Sequence, residues 1–331
     1  MEQNNIDHYF DWAATAPSDK DILEASLAET FSAWGNPSSV HSVGKEAKRL
    51  LEKARALCAA SLGVPSETIY FTSGGTESDC IPLLSVLNRP QKGTVLVSSI
   101  EHPAVREQAE VLTKCGWRVV RIPATGGGII TAEAVLSKLT DDTALVCVMA
   151  VNNETGAIQP IKDIADALAK AAENKRKAKL HVDCVQAAGK IPFELSHSSV
   201  VSAAFSAHKI GGPRGIGILY LADTIESFFR GGGQEKNIRS GTENVYGALA
   251  FARCLERRQC LSKMFLLPLR MAQDIVFEIE LDAQIENKRA HFVGKKLSCL
   301  FHCMHRERFV RRMRGIQRVA AAFLDERSLL P

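Results

Sequence analysis

Apolar residues fall along this chain in short continuous runs separated by longer stretches of helical spacing. Ile69–Thr72, Thr94–Ser99, Leu145–Val151, Leu180–Gln186, Val200–Phe205 and Ile216–Leu221 have the length of buried strands rather than of helices. Between two such regions Val43, Ala47, Leu50, Leu51, Ala54, Leu57 and Cys58 recur at three- and four-residue steps. That spacing predicts an amphipathic helix from Ser42 to Leu62, closed by Gly63. Further helices are predicted over 19–31, 104–115, 131–138 and 161–173. Strands that alternate with helices predict an α/β fold: a mainly parallel, doubly wound sheet whose ligand groups gather at the carboxyl ends of strands.

Several of these runs end in residues that carry chemistry. The 200–205 run leads into Ser206, His208 and Lys209, followed by the breakers Gly211, Gly212, Pro213 and Gly215. Lys209 therefore falls at a strand end, on a glycine-rich turn. A desolvated lysine has the lowered pKa needed to trap a carbonyl as a Schiff base, and a solvated surface charge is the plain alternative. Ser73-Gly74-Gly75-Thr76-Glu77-Ser78 turns from strand to helix. It reads either as an anion site on free backbone N–H groups or as an ordinary capped helix start. His102, after the 94–99 run, is a ring for stacking on an aromatic ligand or a hydrogen-bonded loop histidine. Asp183 closes an apolar run and so requires a cationic or protonated partner.

Combined, these features suit a phosphorylated aromatic aldehyde that bonds to a lysine and needs a carboxylate at its ring nitrogen. Pyridoxal 5'-phosphate fits that description. A dinucleotide is the competing ligand, but Gly126-Gly127-Gly128 does not lie between a strand and a helix with an acidic partner downstream.

From Tyr9 to Phe251 the chain resembles the cysteine desulfurases, in the class V aminotransferase group of fold-type I pyridoxal phosphate enzymes. The resemblance rests on Tyr9–Pro17, Gly35–Ser39, Thr72–Asp79, Glu101-His102, Val151–Gly156, His181–Asp183, Gln186, Ser206–Lys209 and Arg239–Thr242. It implies a sheet of the seven-stranded type with helices on both faces. It also implies a large cofactor-binding domain over 19–253, with residues 1–18 belonging to a small domain. Lys209 would hold the aldehyde and move protons, and His102 would stack on the ring and relay protons. Asp183 would pair with the ring nitrogen, and Gln186 with the ring hydroxyl, Asn153 alongside. Gly75, Thr76, Ser206 and His208 would bind the phosphate. Thr242 would reach the phosphate of a partner subunit in a homodimer. The implied reaction converts L-cysteine to L-alanine and leaves the sulfur as an enzyme persulfide for iron–sulfur clusters or tRNA thiolation, through acceptor proteins. A selenocysteine lyase, a related aminotransferase, or a catalytically incomplete cofactor-binding chain are the alternatives.

Composition and charge change this picture mainly at the C-terminus. The 331 residues are 46% apolar and 24% charged, as in ordinary globular proteins. No apolar run approaches a membrane span, and the N-terminus has no basic region followed by an apolar one, so a cytoplasmic location is expected. Residues 1–249 carry 25 Lys+Arg and 28 Asp+Glu; residues 250–331 carry 16 and 9. The basic tail lacks aromatic interleaving, so a solvated face is expected rather than a nucleic-acid site. The likeness to the family ends near Arg253, and 254–331 is expected to be a remnant or diverged small domain. Neither a nucleophilic cysteine in a Ser/Gly-rich loop nor a carboxylate-clamping arginine is evident there. Cys254, Cys260, Cys299 and Cys303 are nominal sulfur acceptors, and Cys115, Cys147 and Cys184 are expected in the core. The nine scattered cysteines suggest free thiols and no metal site.

Overall fold

Seven strands hydrogen-bond into one sheet in the order β1-β7-β6-β5-β4-β2-β3. They are β1 Ile69–Thr72, β2 Thr94–Ser98, β3 Arg118–Ile122, β4 Thr143–Cys147, β5 Lys179–Asp183, β6 Val200–Ser206 and β7 Gly217–Leu221. Pairings β2–β3, β2–β4, β4–β5 and β5–β6 are parallel. Strand β7 runs antiparallel to both β6 and β1, which leaves β1 pointing the same way as the parallel strands. The sheet belongs to a computed structural model that describes residues 9–172 and 178–259, within a unit spanning Met1–Phe265.

The helices are α1 Lys20–Thr30, α2 Ser42–Leu62, α3 Gly75–Ser85, α4 Pro103–Lys114, α5 Ala132–Lys138, α6 Ile161–Ala171 and α7 over 245–259. Their starts and stops are local. Asp19 caps α1 by accepting from the Ile22 amide, and Gly63, in the left-handed region at φ 69°, closes α2. Each predicted helix is present, with ends shifted by at most two residues and α2 found with its predicted bounds.

The period of two along the strands separates two cores. Leu96 of β2, Val146 of β4, Leu180 and Val182 of β5, and Ala203 and Phe205 of β6 face one side, with side chains of α2, α5, α6 and α7. Val95, Val97, Leu145 and Cys147 face the other, with α3 and α4. Helices therefore cover both faces. The alternation in β5 and β6 has a chemical consequence. With Leu180, Val182, Ala203 and Phe205 committed to the first core, His181, Asp183, Ser202 and Ser206 must point to the face that α3 covers. Helix α7 runs through residue 253 without a break, and Cys254 and Leu255 pack into the first core.

Candidate active site at the carboxyl ends of the strands

Apart from Thr242, the sequence-predicted site residues lie at the ends of β5 and β6 and on the connections that leave β1, β2, β4, β5 and β6 at the same end of the sheet. After β1 the chain passes Ser73 and Gly74 and enters α3 at Gly75. No side chain caps this helix. A Cβ on Gly75 would sit 2.7 Å from Val185 Cγ2 and 3.5 Å from Ser206 Cβ, so glycine is what lets the start of α3 approach the ends of β5 and β6. A Cβ on Gly217 of β7 would meet the Gly74 backbone at 2.5 Å, so a second glycine seats the same turn from below. Thr76 is exposed and Ser206 is buried.

Asp183 is only 5% exposed. Its Oδ1 accepts the Val185 amide at 2.9 Å. Burial, and then the charge of Asp79, push its carboxyl up to about 8. Gln186, also buried, donates from Nε2 to the Ala13 carbonyl at 2.8 Å. Its Oε1 accepts from Lys190 Nζ at 2.5 Å.

Lys209 sits half-buried on the single turn that follows β6, and its Nζ donates to the carbonyls of Ala13 and Ala14 at 2.7 and 2.8 Å. Burial lowers its pKa, against the opposing pull of Asp183 and Asp11. His208 Nδ1 lies 3.1 Å from Thr15 Oγ1, and the Ala16 amide donates to the His208 carbonyl at 2.9 Å. The segment 13–16 thus forms a strap across the lysine turn. A cavity of about 330 Å³ opens beside it, lined by Trp12, Ala13, Gln186, Lys190, Lys209 and Arg258 among others.

His102 is the N-cap of α4, its Nδ1 accepting from the Ala104 amide at 3.1 Å, and its ring is exposed. Burial of part of the ring and then the charge of Lys209 lower its pKa, and because Nδ1 accepts, the neutral ring carries its proton on Nε2. Asn153 is half-buried. The turn around it is built by its neighbour Asn152, whose Oδ1 accepts from the amides of Glu154 and Thr155 and whose Nδ2 donates to the Ile100 carbonyl. Gly75, Asp183 and Ser206 meet directly or through Val185, and Lys209 is electrostatically coupled to both Asp183 and His102. Thr242 is not brought to this group; it is exposed on the segment before α7.

Burial sorts the candidate thiols. Cys147 and Cys184 are core residues, and Cys254 is buried with its thiol pushed up to about 12 by burial and Asp19, which keeps it from acting as a thiolate. Cys115, expected in the core, is exposed instead. It is the C-cap of α4, where the helix's apolar face has already ended. It lies one helix length, roughly 18 Å, from His102. Cys260, Cys299 and Cys303, with most of the expected remnant domain, lie outside the described residues.

Sequence reasoning gave no role to four residues beneath the site, three of them inside the motifs that carry the resemblance. Asp79, Glu101, His181 and Ser202 are each at most 5% exposed. The readable signal was an ionisable residue inside an apolar run, as with His181 between Leu180 and Val182.

The class-V aminotransferase family matches residues 8–262. The chain belongs to that family. Among curated class V relatives, it is 42% identical over 258 residues to the "NifS/IcsS protein homolog" of Lactobacillus delbrueckii, covering 74% of this chain and 64% of that protein. It is 38% identical to "Cysteine desulfurase NifS" of Azotobacter vinelandii, over 76% of this chain and 62% of the relative. The chain thus spans just under two thirds of the length of these relatives. Among solved structures, a "NIFS-LIKE PROTEIN" aligns with a TM-score of 0.72 at 40% identity, covering 76% of this chain and 69% of that one. "SspA in complex with cysteine" aligns at 0.70 and 30%, over 75% and 72%. The fold is that of the fold-type I enzymes.

Class V enzymes of this kind use pyridoxal phosphate, and the residues here fit it. A buried acid with no salt bridge among the described residues (Asp183) lies across Val185 from a helix start that no side chain caps, near a lysine of lowered pKa. These are the three demands of a cationic ring nitrogen, a phosphate and an aldehyde.

Proposed function

We propose that this chain carries the pyridoxal phosphate-binding domain of a cysteine desulfurase, which removes sulfur from L-cysteine and leaves L-alanine. The observation that supports it most directly is the placement of Asp183, the α3 start and Lys209 around one end of the sheet, in a chain 38% identical to a cysteine desulfurase. Pyridoxal phosphate would supply the electron sink that stabilises negative charge at the substrate carbon. The protein would supply the rest. Lys209 provides the amine that holds the cofactor covalently and moves a proton at the substrate Cα. Asp183 would keep the ring nitrogen protonated, and His102 would present its ring face to the cofactor and its Nε2–H to the reacting groups. Gly75, Thr76, Ser206 and His208 bind the phosphate, Gln186 the ring hydroxyl, and Asn153 lies next to it. Sulfur leaves as a persulfide on an acceptor thiol: cysteine plus R–SH becomes alanine plus R–SSH, with no net redox reagent.

The acceptor proteins, iron–sulfur scaffolds or tRNA-thiolation factors, belong to the same proposal, as do the cytoplasm and a homodimer. Phe31, Trp34 and Val40 are 71–86% exposed along the α1–α2 connection, an apolar surface suited to burial against a second copy, with Thr242 reaching the partner's phosphate. One observation favours the incomplete-chain reading: among the described residues no exposed thiol stands beside Lys209.

The test is alanine release from L-cysteine by the purified chain loaded with pyridoxal phosphate, with and without an added dithiol. Alanine in repeated turnovers supports the proposal. A chain that holds the cofactor yet releases none with the dithiol present is a binding body only. Lys209→Ala is expected to abolish borohydride-trapped cofactor and to lower alanine release by roughly 10³-fold or more.

A further inference from the structure

Beneath Asp183 lies a hydrogen-bonded chain that none of the assigned roles uses. His181, two residues before Asp183 and on the same face of β5, has both ring nitrogens engaged. Nε2 is 3.0 Å from Asp79 Oδ1 of α3, and Nδ1 is 2.8 Å from Ser202 Oγ of β6. Ser202 is the register partner of His181 across the β5–β6 ladder, so the sheet itself sets that contact. All three side chains are buried to 99% or more. Glu101, from the connection after β2, closes the group. Its Oε1 accepts from the Met149 amide at 2.7 Å and Ser98 Oγ at 2.5 Å, while Oε2 is buried with no hydrogen-bond partner.

Two protonation patterns fit these distances. In one, Asp79 is ionised, Nε2–H donates to it, and the Ser202 hydroxyl donates to Nδ1. In the other, Asp79 carries a proton and donates to Nε2, while Nδ1–H donates to Ser202 Oγ. The first places a carboxylate in the dry interior with no cation on it, next to two more carboxyls. The groups facing Asp183 are Asp79 from α3, His181 from its own strand, Glu101 from the loop after β2 and Lys209 from the turn after β6. Of these only Lys209 is a cation, and its Nζ is held by the strap carbonyls. Three carboxyls packed this closely cannot all ionise, and the one that gains most from ionising is the one facing a ligand cation. Burial also raises Asp79 well above the usual carboxylate range and lowers His181 to about 4.

We propose that Asp79 is a positioning residue for the cofactor ring. It carries a proton donated to His181 Nε2, which locks His181 as the neutral Nδ1–H tautomer against Ser202 and leaves Asp183 as the carboxyl that ionises toward a cationic ring nitrogen. The proposal rests on the pyridoxal phosphate reading for its function but not for its geometry. The Asp79→Asn amide donates to Nε2 as the protonated acid does, so it keeps the tautomer. Asp79→Leu leaves Nε2 without a donor.

The experiment is nitrogen-15 NMR of the histidine-labelled full chain without cofactor, His181 being assigned by a His181→Gln variant. It is paired with pH titration of the visible absorption of added pyridoxal phosphate in wild type, Asp79→Asn and Asp79→Leu. Expected are an Nδ1–H tautomer that does not titrate between pH 5 and 8, and an Asp79→Asn variant matching wild type in both readouts. In Asp79→Leu the absorption midpoint moves by about one pH unit or more, and cofactor retention weakens about tenfold. An Nε2–H tautomer in wild type overturns the proposal. So does an Asp79→Leu absorption titration that matches wild type, or one that Asp79→Asn shifts as far. If the wild-type chain binds no pyridoxal phosphate, the functional reading fails separately, and the tautomer alone decides this one. It decides equally if Asp79→Leu does not fold.

Discussion

Two buried charged groups in this molecule solve the same problem in opposite ways. Near β1, Arg55 of α2 and Glu235 form a bidentate pair at 2.7 and 2.8 Å. Arg55 also donates to the Ile69 carbonyl, and Glu235 also accepts the Phe71 amide. Every charge there has its partner inside the protein. Beneath the site, Asp79, Glu101 and Asp183 share the interior with a neutral histidine, and none of the three carboxyls has a Lys or Arg salt bridge among the described residues. The first cluster is complete without a ligand, and it holds in place a loop whose Glu235, Lys236 and Asn237 all have positive φ. The second is complete only when something cationic arrives. Where a fold leaves buried acids uncompensated, it has stored a preference for a ligand instead of stability.

The largest effect expected from this contrast is on the completed pair. Glu235→Ala removes the buried partner of Arg55, leaving it only the half-exposed Glu52, and should cost about 3 kcal/mol, read by denaturant unfolding. A loss below about 1 kcal/mol would mean the two clusters are not different in kind. Asp183→Asn should do the reverse. It removes an uncompensated acid, so the cofactor-free chain should be no less stable, while pyridoxal phosphate binds about 30-fold more weakly for want of a charged hydrogen bond of about 2 kcal/mol. An unchanged cofactor affinity would remove Asp183 from the site.

The pH dependence sharpens the comparison further. Asp183, at about 8, and Glu101, pushed up to about 7 by burial, bind protons in the folded chain that the unfolded chain releases at ordinary carboxylate values. Their contribution to stability is therefore lost as pH rises from about 4 to 8. His181, lowered to about 4, acts the other way, but only between about 4 and 6.5. Above 6.5 the carboxyls act alone. The Tm of the cofactor-free chain should fall between pH 6.5 and 8, by on the order of 1 kcal/mol in stability, and bound pyridoxal phosphate should flatten the slope. A Tm that rises across this window contradicts the assignment. The smallest effect belongs to the exposed Lys162–Asp166 pair, where Lys162→Ala should leave the Tm unchanged.

Much of the site was legible because its residues sit at the ends of apolar runs. A strand that stops at Asp183 or at Ser206 exposes its last side chain at the sheet's edge, and that reading needs only period and polarity. The glycines at 74 and 75 carried their own meaning for the same reason. The buried floor was not legible. Asp79 and His181 are 102 residues apart and Arg55 and Glu235 180 apart, and nothing in either neighbourhood names the other. The strap of Ala13 and Ala14 over Lys209 is equally remote, since it is made by backbone carbonyls that any residue could supply. Cys115 shows the opposite error. Its place at the end of an amphipathic helix suggested burial, but the helix ends there and the thiol faces solvent.

By itself the sequence determined six of the seven strands, missing the edge strand β3, and all the helices but α7, and that Lys209, Asp183 and the Gly74-Gly75 turn fall at strand ends. Those features depend on neighbours within a few residues, where spacing is fixed by covalent geometry. Tertiary structure decided the strand order, the antiparallel insertion of β7, and the burial of Asp79 and His181 beneath the site. It also decided which ionisable groups are satisfied inside the protein and which are left for a ligand. These depend on distances between segments far apart in the chain, and on how much water packing leaves around each charge.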